Sequence, residues 1–331
     1  MPVAYVTEPG AVVHLKGRTL EVHKEDERLA DWELIRLDGL CLTGGTHITQ
    51  PAMRALMKAG IELVLLATDG RMLGRLTPLN ARNAALRMEQ YRCYLDAARR
   101  LEYALSLVQA KLVNARALLM RYARNHPGAD LTGAAAELQA IVEDVARVAD
   151  LAALMGTEGN AARIYFGVFD RMCRNELRFE RRSTRPPRDP VNALLSLGYT
   201  FLVNDLTSIL GAIGFDPCLG FYHGIESGRP SLALDLAEPF RTGLIDRFIL
   251  HLVNNRVFAA TDFEQRDGGC YLSRSAFKGF VRQYQRIMLR RRIDSITGKR
   301  ETYRRHLQLQ AERFAATLIR GDTPAWFATR D

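Results

Sequence analysis

Thr77-Pro78-Leu79-Asn80-Ala81-Arg82-Asn83-Ala84-Ala85-Leu86 is the stretch at which the chain changes its hydrophobic period. Upstream of it, apolar residues alternate with polar ones in short runs. Downstream they recur at helical spacing. Pro78 disfavours helix at the residue before it, so residues 78–82 read as a linker between two kinds of structure. Before the linker, Val3-Ala4-Tyr5-Val6, residues 11–15 and residues 19–23 are short, β-branched or alternating. Pro9-Gly10 and Lys16-Gly17-Arg18 separate them as turns. Residues 33–37 and 61–67 continue the strand pattern. A short helix fits residues 50–59, closed by Gly60, which can take the left-handed cap conformation. Asp69-Gly70 then predicts a hairpin into residues 71–76.

After the linker, residues 84–123 read as one long helix, with Leu86, Tyr94, Leu101, Leu105, Val108, Leu112 and Leu119 spaced for one apolar face. Asn125-His126-Pro127-Gly128 stops it. Further helices are expected over residues 131–155, 159–173, 190–213, 234–253 and 274–292. The expected fold class is therefore α+β. A small β-rich N-terminal domain (residues 1–77) and a linker (78–82) precede a larger all-α domain (83–331).

The chain has 331 residues, 47% of them hydrophobic and 25% charged, a composition ordinary for a globular protein with ample core. Its longest apolar stretch, residues 193–213, is interrupted by Asn204 and Asp205, which argues against a membrane span. The first residues carry no basic segment followed by an apolar one, so no secretory signal is expected. Cys41, Cys93, Cys173, Cys218 and Cys270 are scattered, with no CxxC pair. They read as reduced core residues of a cytoplasmic protein without a zinc cluster. Gly298-Lys299 lacks the glycine that a phosphate-binding P-loop needs, and neither GxGxxG after a strand nor GxSxG occurs.

The chain holds 46 Lys and Arg against 37 Asp and Glu, and the excess is localised. Between residues 274 and 306, eleven basic side chains face only Asp294 and Glu301, whereas the rest of the chain balances. Residues 163–189 hold eight arginines against four acids. A GC-rich genome accounts for 40 arginines beside six lysines, but not for their clustering. The clustering is the footprint of a polyanion, most simply nucleic acid. Residues 1–77 balance 9 basic against 10 acidic side chains and are not the main nucleic-acid surface.

Two groups of residues can carry chemistry. Glu158 stands between Gly156 and Gly159 at what reads as a helix start, where the plain alternative is an acid meeting the helix dipole. Gly220-Phe221-Tyr222-His223-Gly224 presents a histidine. Downstream, Asp235 and Glu238 lie at i and i+3 on one helical face amid apolar residues. Buried acids need a cation, so a divalent metal and ion pairing with Arg241 or Arg247 stand about even on these residues alone.

The segment Glu158-Gly159-Asn160-Ala161-Ala162-Arg163-Ile164-Tyr165-Phe166 resembles the first signature of the CRISPR-associated protein one family, the integrase-endonuclease of CRISPR adaptation. Arg185-Pro186-Pro187-Arg188-Asp189-Pro190-Val191-Asn192-Ala193-Leu194-Leu195 looks like its next block. His223 through Ser231-Leu232 to Asp235, Glu238 and Arg241 looks like the third. The resemblance implies a metal site of Glu158, His223 and Glu238, with Asp235 as an auxiliary acid. It leaves the division of roles between Asp235 and Glu238 open. It further implies a catalytic, DNA-binding helical domain, a homodimer held through the β-rich domains, and a partner dimer of the small CRISPR-associated protein two.

Two carboxylates and an imidazole suit Mn²⁺ or Mg²⁺, which would polarise a phosphodiester. Attack by a 3′-hydroxyl exchanges one phosphodiester for another and needs no ATP. Arg163, Arg174, Arg178, Arg182, Arg185, Arg188, Arg241, Lys278, Arg282, Arg286 and Arg290 are the candidate contacts to double-stranded DNA, reading phosphates rather than sequence. For Arg163 a structural role stands beside that one. The expected activity is metal-dependent joining of short duplexes into a repeat array. The alternatives are a structure-selective nuclease on branched DNA and a non-catalytic DNA-binding scaffold.

Overall fold

The computed structural model describes residues 3–78 and 83–329, so linker positions 79–82 lie outside the described residues. The chain divides into two compact units, Met1–Arg82 and Asn83–Asp331.

The first unit is strand-rich. Its strands are β1 (Val3–Val6), β2 (Val12–Lys16), β3 (Thr19–Lys24), β4 (Glu27–Glu33), β5 (Gly39–Thr43), β6 (His47–Ile48), β7 (Glu62–Leu66) and β8 (Met72–Leu76). Helix α1 (Gln50–Ala59) lies between β6 and β7. One sheet pairs β1, β5 and β7 in parallel and adds β8 antiparallel to β7; the other runs β4-β3-β2-β6. Val13, Leu20, Leu40 and Leu56 are fully buried in a common core. Helix α1 begins after Thr49 with Pro51 in its first turn and ends on Gly60 at φ 74°, as expected from the sequence.

One expected strand is displaced. Residues 34–36 form a 3₁₀ turn that leaves Ile35 72% exposed, and the strand lies instead at β5. All five residues of β5 are buried, so it shows none of the alternation that marks a half-exposed strand.

The second unit is mainly helical: α2 (Ala84–Leu95), α3 (Ala97–Asn125), α4 (Thr132–Asp144), α5 (Leu151–Gly167), α6 (Pro190–Ile213), α7 (Ser231–Phe240), α8 (Arg247–Asn254), α9 (Arg274–Leu289) and α10 (Tyr303–Arg320). It is not purely α. Two antiparallel hairpins interrupt it, β9 (Phe263–Arg266) with β10 (Gly269–Leu272) and β11 (Arg291–Ile293) with β12 (Arg300–Thr302). The helix expected over 274–292 thus stops at Leu289, and its last arginines belong to β11.

The helices expected over 131–155, 159–173 and 234–253 are likewise redivided, as α4 with α5 and as α7 with α8, and two of the changed boundaries are set by an aspartate. The helix expected over 84–123 breaks at Asp96, whose carboxylate accepts hydrogen bonds from the N–H groups of Ala98 and Arg99. Asp150 caps α5 by accepting from Ala153 N–H at 2.8 Å. Helix α5 therefore starts at Leu151, and Glu158 lies in its middle rather than at a helix start. This removes the reading of Glu158 as an acid placed to meet a helix dipole.

Helices α7 and α8 are joined by a π-helical turn, Arg241–Asp246. Pro239, just before it, has no N–H to offer the carbonyl one turn back. The carbonyl of Pro239 itself accepts from Asn114 Nδ2 on α3 at 2.8 Å. Helix α6 is long and apolar enough to cross a membrane by length and composition, but its most apolar window is 61% buried within the protein. Its one deeply buried acid, Asp205, accepts from Tyr284 Oη at 2.8 Å and faces Arg304 at 3.5 Å.

Candidate active site

The loop preceding α7 wraps around a single carboxylate. Asp235 Oδ2 accepts the N–H groups of Phe221 at 2.6 Å and Tyr222 at 3.0 Å, and Oδ1 accepts that of His223 at 2.9 Å. Oδ1 also lies 2.7 Å from His223 Nδ1. The loop can approach this closely because residue 220 is glycine. A Cβ there would stand 2.7 Å from Asp235 Oδ2 and 2.8 Å from the Ser231 backbone. With both oxygens of Asp235 engaged, the carboxylate orients the His223 ring through Nδ1 and turns Nε2 away from itself.

Nε2 points toward Glu238 Oε1, 3.9 Å away and one turn along α7 from Asp235. Glu238 also receives Arg241 Nε at 3.0 Å, and Lys111 Nζ of α3 stands 2.7 Å from its Oε2. Lys111 reaches Glu158 Oε1 of α5 as well, at 2.5 Å. The four acids and bases of the sequence analysis, Glu158, His223, Asp235 and Glu238, thus converge on one centre, with Lys111 between the two glutamates. Asp235 and Glu238 are 2% and 4% exposed, whereas Lys111, Glu158 and His223 are each nearly one-fifth exposed. The centre is therefore closed beneath and open on one side.

Electrostatics follows from that packing. Burial pushes the Glu238 carboxyl up, but Arg241, Lys111 and His223 outweigh it and hold it at about 2. Burial likewise lowers Lys111, and the attraction of Glu238 and Glu158 more than reverses this. Burial and the neighbouring Glu158 carboxylate raise the Tyr222 hydroxyl. Behind the centre, the Arg241 guanidinium stacks over the Tyr199 ring at 4.7 Å. Tyr199 Oη donates to Asp246 Oδ1 at 2.5 Å, and Tyr165 Oη donates to Oδ2 at 2.9 Å. Burial raises Asp246 to about 6 against the pull of those two hydroxyls.

The donor set suits a divalent cation chemically: two carboxylates, an imidazole nitrogen turned toward one of them, and a buried Glu238 Oε2 that lacks an aligned hydrogen bond despite the nearby ammonium. As the side chains stand, no three His, Cys, Asp or Glu residues among the described residues are grouped to hold an ion. The Lys111 ammonium occupies the position between Glu158 and Glu238.

The arginines divide into two classes. Arg163, Arg174, Arg178, Arg185, Arg188, Arg282, Arg286 and Arg290 are exposed, and Lys278 is half-buried. Arg282, Arg286 and Arg290 follow one another at helical spacing along α9 and just past its end. Arg182 and Arg241 depart from the expected DNA-facing role. Arg182 donates to Ser183 O and to Asn192 Oδ1 and lies over the Tyr199 ring, and Arg241 is committed to Glu238. Both guanidiniums serve the interior. The sequence analysis missed Lys111, although a chain with so few lysines placing one on an apolar helix face was a usable signal.

A family model described as CRISPR associated protein Cas1 matches residues 4–286. A "CRISPR-associated exonuclease Cas4/endonuclease Cas1 fusion" of Rhodospirillum rubrum is 36% identical over 97% of this chain, which spans 56% of the fusion's length. "CRISPR-associated endonuclease Cas1 3" of Thermus thermophilus is 35% identical, with 99% of this chain and 97% of the relative covered. Among solved structures, a casposase bound to an integration product shares the fold at a TM-score of 0.84 and 22% identity, over 98% of this chain and 93% of that one. The family match extends from the strand-rich unit through the convergent acids and His223 into α9, and the chain belongs to the Cas1 family of CRISPR-associated proteins.

Proposed function

We propose that this protein is a metal-dependent DNA-joining enzyme, inserting the 3′-hydroxyl ends of short duplexes into a repeat array by transesterification. The observation that carries the reading is the His223 ring, held by Asp235 with its second nitrogen turned toward Glu238, which Lys111 links to Glu158. Glu158, His223 and Glu238 would hold Mn²⁺ or Mg²⁺, which when bound supplies Lewis-acid polarisation of the scissile phosphodiester. Asp235 is then the residue that orients His223, because its oxygens are already occupied by four donors. Glu238 is the direct ligand. Arg241 and Lys111 balance its charge and keep it ionised at every physiological pH. The exposed arginines on α9 and in the segment after α5 hold the DNA backbone without reading bases. The strand-rich unit mediates homodimer formation, and the small CRISPR-associated protein two completes the assembly. The likeness to a casposase carrying an integration product favours joining over cleavage alone.

The test is strand transfer. A labelled duplex with free 3′-hydroxyls is incubated with supercoiled plasmid and protein in Mn²⁺, Mg²⁺ or EDTA, with and without the small partner. Metal-dependent joining of label to plasmid, abolished in Glu158→Ala, His223→Ala and Glu238→Ala, is the expected result. Cleavage without joining supports a nuclease, and DNA binding indifferent to EDTA with no product refutes the enzyme reading.

A further inference from the structure

The two glutamates of the centre stand on different helices, and α5, which carries Glu158, packs chiefly on α3 and α4. Their separation therefore depends on side chains that cross from one element to another. At the centre itself Lys111 makes such a crossing, reaching both Glu158 and Glu238. A second crossing lies beneath it. Tyr165 is seven residues beyond Glu158 on α5, two turns away on the same face and about 10 Å along the helix. Its hydroxyl donates at 2.9 Å to Oδ2 of Asp246, the last residue of the π turn that continues the helix of Glu238.

Asp246 is fully buried, and each of its oxygens accepts one hydroxyl, Oδ2 that of Tyr165 and Oδ1 that of Tyr199 on α6. Two guanidiniums lie against the Tyr199 ring, Arg241 at 4.7 Å and Arg182 at 5.4 Å from its centroid. Arg241 Nε in turn stands 3.0 Å from Glu238 Oε1. A continuous series of contacts thus runs from Glu238 through Arg241, Tyr199 and Asp246 to Tyr165, and returns along α5 to Glu158. The Tyr165 ring is wedged edge-on against Phe166 at 5.1 Å and Phe169 at 5.8 Å, so its hydroxyl has little freedom to follow a partner that shifts.

Stability alone does not require this routing. Asp205, also buried and on α6, accepts from Tyr284 Oη at 2.8 Å and faces Arg304, the same three residue types. That set joins α6 to α9 and α10, helices that carry none of Glu158, His223, Asp235 and Glu238. What distinguishes Asp246 is where its bonds lead.

We propose that Tyr165 and Asp246 are positioning residues of the reacting centre: by tying α5 to the π turn they set the separation of Glu158 and Glu238, and with it the fit of that pair to a divalent cation. A small divalent cation demands near-fixed ligand distances, so a carboxylate pair held at the wrong spacing binds it weakly. The inference rests on the DNA-joining reading in taking both glutamates as ligands of one cation. The tie between the helices stands without it.

The test compares Tyr165→Phe with Tyr284→Phe in the full chain. Each deletes one hydroxyl from a buried aspartate and keeps the ring, so a merely structural role predicts the same outcome for both. The first arm titrates Mn²⁺ alone by calorimetry, without DNA. Tyr165→Phe is expected to weaken Mn²⁺ binding about tenfold, and Tyr284→Phe by less than about twofold. Tyr199→Phe, which leaves Arg241 its ring to stack on, is the second variant and is expected to act in the same direction as Tyr165→Phe. The second arm uses no metal. Each tyrosine variant is combined with Lys111→Met and unfolded by urea in EDTA. The effects of Tyr284→Phe and Lys111→Met on the folding constant are expected to multiply within about twofold. Those of Tyr165→Phe and Lys111→Met are expected to miss their product by about fivefold or more, because both act on the spacing of the same two helices.

A difference between Tyr165→Phe and Tyr284→Phe in either arm supports the proposal, and equal behaviour in both arms overturns it. A wild type whose Mn²⁺ heat is unchanged by Glu238→Gln loses the metal reading, and the coupling to Lys111 then decides the positioning role by itself. Mn²⁺ binding that needs Glu238 but ignores Tyr165, with no coupling to Lys111, keeps the metal reading and discards this one.

Discussion

Replacing Lys111 by methionine removes the cation that stands 2.5 Å from Glu158 and 2.7 Å from Glu238. Breaking a buried ion pair by deleting one partner costs about 3–5 kcal/mol, because the remaining charge stays buried. Arg241 and His223 still face Glu238, so the lower end applies, about 3 kcal/mol at pH 7. For a unit of this size that corresponds to about 6–12 °C in Tm. The pH dependence carries the sign. Glu238 is held at about 2, against 4.5 when free, so its contribution is complete above about 4.5 and fades as pH falls toward 2. Lys111→Met leaves less to lose, and the wild-type and variant stabilities converge on acidification. Urea denaturation at pH 7, 5 and 3.5 measures this directly. A difference below about 1 kcal/mol at pH 7, or one that stays constant across the series, would refute the account of Lys111 as the counter-charge of the two glutamates.

Other perturbations separate the remaining roles. Asp246, raised from 3.8 to about 6, binds a proton in the folded state that the unfolded chain has already released, so wild-type stability falls as pH rises from about 4 to 6. Asp246→Asn is expected to flatten that segment, about 3 kcal/mol, in melts at pH 4 and pH 7; a slope like that of the wild type counts against it. Asp235→Ala deprives three backbone N–H groups and His223 of their acceptor and is expected to cost about 3–5 kcal/mol, with strand transfer lost as well. Reversing the charges of Arg282, Arg286 and Arg290 is expected to reduce the slope of log affinity against log salt by about 2.7. Arg182→Met should instead leave that slope unchanged and lower Tm, since its guanidinium is bonded within the fold.

The division into a strand-rich part and a helical part was readable at Pro78, because the period of burial changes there. So were α1 and α6, whose caps and prolines are spelled out locally. Strand β5 escaped because it is covered on both faces and has no alternation. The β9–β10 hairpin turns on Asp267-Gly268, both at positive φ, a turn signal present in the sequence but flanked by strands too short to register. Asp96 and Asp150 interrupt periodic stretches whose apolar spacing runs on past them, so only their side-chain caps reveal the breaks.

At the centre, the i, i+3 spacing of Asp235 and Glu238 foretold a shared face. It did not foretell that one acid would be consumed by the loop carrying His223, because that depends on the close approach at Gly220. Lys111 lies far from Glu158 and Glu238 in the sequence, and no local pattern links them.

The π turn between α7 and α8 bears on how such a chain tolerates insertions and deletions. Glu238 and Arg247 belong to one run of helical backbone, and the π turn between them bonds i to i+5 instead of i to i+4, so it fits one more residue into nearly the same rotation. Losing one residue from Arg241–Asp246 would therefore restore a regular helix and leave the directions beyond it almost unchanged. Arg247 and His251 would keep their aim although their distance from Glu238 along the chain had changed. The turn is thus a place where the chain can lose a residue without re-aiming either flank.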